Sequence, residues 1–228
     1  GALAVGIGTV ANAEKHIPTG VASLIIAALP LWVVLFRTLS RERIPGSTWI
    51  GTLVGFLGVI ILVQPGGIKP ISSSNSDEVI FYMFLVVIGN FIWAFSTFIA
   101  PKLQLPKNLL LFTAIEMTAA GIALLLAGYI YGERFSEFSE SSFESWFWFA
   151  YLVIVGSIIA FTAYLWLVVN APVSLVATYA YVNPVIAVLL GVLFLEEIIT
   201  FNYAIGGIII ILGVLVVVTS ESKRRREA

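Results

Sequence analysis

Residues 171–195, APVSLVATYAYVNPVIAVLLGVLFL, run without a charge and carry an Asn-Pro pair near their middle. About 20 residues, each rising ~1.5 Å, cover the ~30 Å hydrocarbon core of a bilayer, so Asn183 and Pro184 fall near the midplane of a membrane span. Pro184 has no N–H and its ring crowds the carbonyl of Ala180. That frees a backbone acceptor at a depth where lipid offers no donor, so irregular backbone there has to line protein or a wet cavity.

The same pattern occurs once earlier. Ile17-Pro18-Thr19-Gly20-Val21-Ala22-Ser23 followed by Pro30 matches Ala171-Pro172-Val173-Ser174-Leu175-Val176-Ala177 followed by Pro184, with both prolines offset by 154. Beyond the span the offset becomes 155: Arg41-Glu42-Arg43, Gly51 and Gly58 face Glu196-Glu197, Gly206 and Gly213. One inserted residue accounts for the slip. Proline-interrupted spans in corresponding positions of an internal repeat point to a transporter-type core with a site where the copies meet.

Composition sets the class. Sixty per cent of the chain is hydrophobic and 11% charged, with a mean hydropathy of +1.04, which marks an integral membrane protein in a lipid bilayer rather than a soluble domain. The apolar segments lack the short alternating pattern of a barrel, so the fold is expected to be an all-α membrane protein. The net charge of −1 says little about partners, because the charges sit in loops and their distribution carries the information; nucleic acid is not an expected partner. Zero cysteines exclude disulfides and thiolate sites, and a single His leaves no His-rich ligand set, so no metal or cofactor is expected.

Apolar stretches predict helices at about 1–13, 18–36, 48–64, 79–100, 109–130, 146–169, 171–195 and 202–219, with a polar linker at 65–77. The first stretch is too short to span alone, and the chain starts at Gly1 within it, which reads as a cut. Residues 1–66 form an incomplete first repeat holding the last three helices, 79–219 a complete second repeat of five, and 220–228 a basic tail. The expected architecture is a five-plus-five inverted-repeat bundle, truncated to about eight helices, with about 76 residues and two spans upstream. Alternate loops hold nine basic residues (Arg37, Arg41, Arg43, Lys102, Lys107, Lys223, Arg224, Arg225, Arg226) against Lys15, Lys69 and Arg134. The positive-inside bias then predicts a multi-pass plasma-membrane protein with a cytoplasmic C-terminus.

Glu116 is the ionisable side chain set well within a span, on a face shared with Thr113, Ala120, Ala123 and Ala127. It reads either as a proton-carrying acid or as a protonated carboxyl bonded to a neighbouring helix. Asn183 lies at substrate depth, and Tyr179, four residues earlier, shares its face. Trp93 and Tyr164 offer aromatic walls or plain packing, Asn12 and Glu14 end the first helix at a boundary where a solvated carboxylate is ordinary, and Pro30 and Pro184 are the expected helix breaks. No phosphate-binding glycine loop and no His-Glu-x-x-His motif is present, so the chain is expected not to be an enzyme and not to use ATP directly.

Four stretches together resemble the EamA family of the drug/metabolite transporter superfamily: Ile17 to Ala22 through Pro30, Trp93-Ala94-Phe95-Ser96, Ala114-Ile115-Glu116-Met117, and Ser174 through Val185. The resemblance implies ten helices in two inverted repeats, cytoplasmic termini, and export of small metabolites or drugs from a central cavity. The expected function is secondary transport of a small-molecule substrate, outward and by alternating access, with protons as a candidate coupling ion. A passive channel and a non-transporting scaffold are the rival readings. A channel would need a continuous polar line through the bundle, whereas the polar residues here gather near midplane.

Overall fold

The computed structural model describes residues 2–64, 76–99, 109–134, 141–160, 163, 167 and 179–227. Among them the chain is helical throughout. The elements are α1 (Ala2–Ala13), α2 (Thr19–Ala27), α3 (Leu29–Leu39), α4 (Gly46–Leu62), α5 (Ser76–Ile99), α6 (Leu109–Ile130), α7 (Phe143–Tyr151), a wider π-type turn sequence Leu152–Ala160, α8 (Tyr179–Leu195) and α9 (Phe201–Glu227). Thr19–Leu39, Asp77–Ile99, Phe143–Ala160 and Phe201–Lys223 are long and apolar enough to cross a membrane. Large apolar side chains such as Ile130, Leu193 and Phe194 point outward, as a lipid-facing surface requires.

The helix expected over 18–36 is two helices. Pro30 takes the second position of α3, where its missing N–H costs nothing, and the chain breaks at Ala28. Pro184, the matching proline, sits inside α8 with that helix running through it. At the other end, α9 does not stop where the basic tail was expected to begin but continues through Lys223 and the arginines to Glu227.

The centre is built on α2 and α3, with Val21, Ala22, Leu24, Ile25, Leu31 and Val34 buried. The most extensive contact joins α4 and α9. They lie antiparallel with glycines face to face: a Cβ on Gly51 would come 2.8 Å from the Gly213 carbonyl oxygen, and one on Gly58 would come 2.6 Å from the Ile210 nitrogen and 2.9 Å from the Gly206 carbonyl oxygen. A Cβ on Gly213 would run into the Gly55 backbone. Only glycine lets two backbones approach so closely.

Helix ends locate the two faces of the bundle. Arg37 donates to Glu42 and to Glu221, each at 2.7 Å, while Ser47 and Thr48 at the start of α4 meet Ser220 and Glu221 near the end of α9. The segment joining α3 to α4 and the C-terminal part of α9 therefore share one end. Arg41 (φ 60°) and Glu196 (φ 53°), 155 residues apart, are the non-glycine residues in left-handed backbone among the described residues. Each closes a helix C-terminus, with Glu42 N–H donating to the Arg37 carbonyl at 3.0 Å and Glu197 N–H to the Gly191 carbonyl at 3.1 Å.

Candidate functional site

The break between α2 and α3 opens a cavity of about 150 Å³ where these helices cross α8. Its lining joins Ser23, Ile26, Ala27, Leu29 and Pro30 to Trp93 of α5 and to Asn183 and Pro184 of α8. Both prolines, Trp93 and Asn183 thus meet at one place, although they lie far apart in sequence. The lining is mostly apolar with a few polar groups: the Asn183 amide, the Ser23 hydroxyl, and backbone freed by the prolines. Such a site suits a small organic molecule with one or two polar functions. Ser23 Oγ donates to the Gly20 carbonyl at 2.8 Å, which leaves its lone pairs available.

The break is held open by Asn90, which the sequence reading passed over. Its buried side-chain amide donates to the Ile25 carbonyl at 2.7 Å, and that carbonyl also takes the Ala28 N–H at 3.1 Å. A span that ends one helix and starts another exposes carbonyls, and here α5 supplies the donor that lipid cannot. A Gly89-Asn90 pair inside an apolar helix is the sequence signal that marks it.

The other expected residues fall elsewhere. Glu116 is half-buried on α6, one turn before the buried Ala120; α6 packs on α1, and Glu116 does not line the proline cavity. Asn12 is exposed and lines a larger hollow of about 760 Å³ between α1 and α6, with Thr9, Lys15, Ala123, Ala127 and Glu133. Tyr164 lies outside the described residues, and Tyr179 enters only as the first residue of α8.

Glu14 belongs to a cluster at the bundle end opposite Arg37. It is half-buried, and burial, then the neighbouring Glu197 carboxylate, pushes its carboxyl above the usual carboxylate range. Glu197 is 8% exposed and reaches the start of α2: its Oε1 accepts from Thr19 N–H at 2.6 Å and its Oε2 from Gly20 N–H at 3.4 Å. These are the opening N–H groups of α2, which has Pro18 before it, no capping side chain and no acid in its first turn. A carboxylate there offsets both the unpaired donors and the positive end of the helix dipole. The Tyr203 hydroxyl, buried and without a hydrogen-bond partner, fills the space a Cβ on Gly20 would need.

The profile of the EamA-like transporter family matches residues 2–64 and 80–219. The chain is 37% identical over 190 residues to the Uncharacterized inner membrane transporter YedA of Escherichia coli K12, covering 83% of the chain and 58% of that protein. It is 28% identical over 206 residues to an Uncharacterized transporter of Archaeoglobus fulgidus (89% of the chain, 68% of the relative). To the Uncharacterized transporter YvbV of Bacillus subtilis it is 25% identical over 219 residues (94% and 67%). The chain therefore spans less than two thirds of the length of its Escherichia coli relative. No solved structure matches it.

Proposed function

The chain belongs to the EamA-like transporter family, and on that premise we propose that it is part of a secondary transporter that exports a small organic molecule through the proline cavity by alternating access. The observation that carries this is the convergence of Pro30, Pro184, Asn183 and Trp93 on one cavity where α2 and α3 cross α8. In this reading Asn183 fixes a polar group of the substrate, Trp93 supplies an apolar wall, and the broken α2–α3 pair can tilt against α8 because few intrahelical bonds join its halves.

Residues 1–66 and 79–219 are the two repeats, inverted with respect to each other. Three features support this. Arg41 and Glu196 share an unusual φ and are 155 residues apart. Gly51 faces Gly213 while Gly58 faces Gly206, so adding 155 to one member and subtracting it from the other turns the first pair into the second. The antiparallel course of α4 and α9 fits copies of opposite topology. The Arg37 end, rich in basic residues, is the cytoplasmic one, which puts the C-terminus inside and the Glu197 end outside.

Protons are the proposed coupling ion, with Glu116 the acid that carries them. The test is substrate flux in proteoliposomes holding the protein as its gene encodes it, with an imposed pH gradient. Saturable counterflow is expected, lost by about tenfold or more in Asn183→Ala through removal of a hydrogen bond to the substrate. Glu116→Gln is expected to keep downhill exchange and lose gradient-driven accumulation. Non-saturating conductance would replace the transporter with a pore, and accumulation by Glu116→Gln equal to the parent would make Glu116 structural.

A further inference from the structure

Glu197 is the acid that ties together the parts expected to move. It follows α8, lies just ahead of α9, and grips the first turn of α2 across 178 residues of sequence. Its backbone N–H is bound to Gly191 of α8, so the side chain is anchored to one repeat while its carboxylate holds the other. We propose that Glu197 is an outer latch: while its carboxylate holds the Thr19 and Gly20 N–H groups, the outer end between the repeats is shut, and opening toward the outside requires those bonds to break. The proposal rests on the transporter reading above.

Geometry and chemistry agree on the part each group plays. A carboxylate against helix N–H groups makes charge-assisted bonds, stronger than neutral ones, and the bonds are short-ranged, so a tilt of α2 of an ångström or two removes them. Nothing charged on α2 itself can take over. Pro18 has no polar side chain, and the first turn has no acid. Release therefore leaves the α2 donors to water, which must enter from outside at that moment. Gly20 is required beside the latch because the Tyr203 hydroxyl occupies the place of a side chain. Glu42, offset by 155 from Glu197, is engaged differently: it takes Arg37, and that guanidinium also holds Glu221 of α9, so at this end the tie is an ion pair rather than a carboxylate on a helix N-terminus.

The chain has no cysteine, which makes a sided labelling test simple. Ser23→Cys, on the cavity wall just beyond the first turn of α2, is placed in the protein as its gene encodes it and reconstituted in vesicles of known orientation. An impermeant maleimide is then applied from outside or from the lumen. The parent is expected to label slowly from outside. Glu197→Gln keeps the shape and loses the charge; it should raise the outside rate roughly tenfold, as expected for losing a charge-assisted bond, and lower the rate from the opposite side. Thr19→Pro removes the donor without touching Glu197, at a first helical position that proline favours, and should give the same opposed pair of changes. Glu197→Asp, which keeps the charge, should restore part of the parent pattern. An unchanged outside rate in Glu197→Gln, or rates rising from both sides as in general loosening, overturns the latch, as does a Thr19→Pro protein that labels like the parent. Counterflow measured on unlabelled vesicles of the same Glu197 and Thr19 variants with Ser23 retained separates the two ideas: intact flux with unchanged labelling removes the latch alone, whereas opposed labelling changes without saturable flux keep the latch and remove the transporter.

Discussion

Gly58→Ala tests the close packing of α4 on α9. The new methyl would stand 2.6 Å from the Ile210 nitrogen and 2.9 Å from the Gly206 carbonyl oxygen, both backbone atoms of α9 that cannot turn aside as a side chain does. Ordinary contact begins near 3.4 Å, so the helices must part by roughly 0.8 Å at this level. Parting them loosens the dispersion contacts above and below as well, and overpacking of this kind costs about 1–3 kcal/mol. Against that stands a gain of roughly 0.5–1 kcal/mol from replacing glycine by alanine within a helix. The expected net loss is therefore about 1–2 kcal/mol, a fall of several degrees in the melting temperature of detergent-solubilised protein. Gly121→Ala in α6, where a Cβ meets nothing within 4 Å, keeps only the gain and should melt at or above the parent. Gly58→Ala combined with Gly206→Ala should cost less than the two singly, because one separation accommodates both methyl groups. A Gly58→Ala protein that melts like Gly121→Ala would refute the close approach of α4 to α9.

Two further outcomes follow from single contacts. Asn90→Leu removes the donor to the Ile25 carbonyl and should lower stability by about 1–2 kcal/mol, read as a melting shift, with Asn90→Gln intermediate. Glu14 has a carboxyl raised above its usual 4.5 by burial and by Glu197, so the fold favours its protonated form. Its contribution is then fully present below pH 4.5 and is lost as pH rises through the raised value. Glu14→Gln should flatten the fall of melting temperature with pH in that window, and an unaltered pH profile would refute the assignment.

Much of this was legible in the sequence because membrane helices declare themselves by apolar length. The bounds of α4, α5 and α6 lie within three residues of those expected, and the 154–155 offset named the positions that meet at Pro30, Pro184 and the glycine pairs. Asn183 and Trp93 were also picked out, since a polar residue at midplane and an aromatic beside it are unusual enough to notice. The Glu197 clamp was not legible. Its two ends are 178 residues apart, and a Glu at a helix boundary looks like any solvated acid until a bare helix N-terminus is placed against it. The different behaviour of the two prolines was hidden for a similar reason. Whether a proline breaks a span or is carried inside it depends on neighbours such as Asn90 on another helix, not on the local sequence. Glu116 was singled out by cost alone, and cost says that a residue needs a reason without saying which neighbour supplies it.

The glycine seam between α4 and α9 also divides the bundle mechanically. Where backbone rests on backbone there are no rotamers to exchange, so such a seam has one arrangement rather than several and resists sliding by even a fraction of a helical turn. The crossing of α2 and α3 with α8 is the opposite: it contains a helix break and a cavity. A rocking bundle needs a fulcrum as much as it needs moving arms. In the rocking motion proposed above the seam is that fixed axle, and the shortest side chain in the alphabet is what makes it stiff.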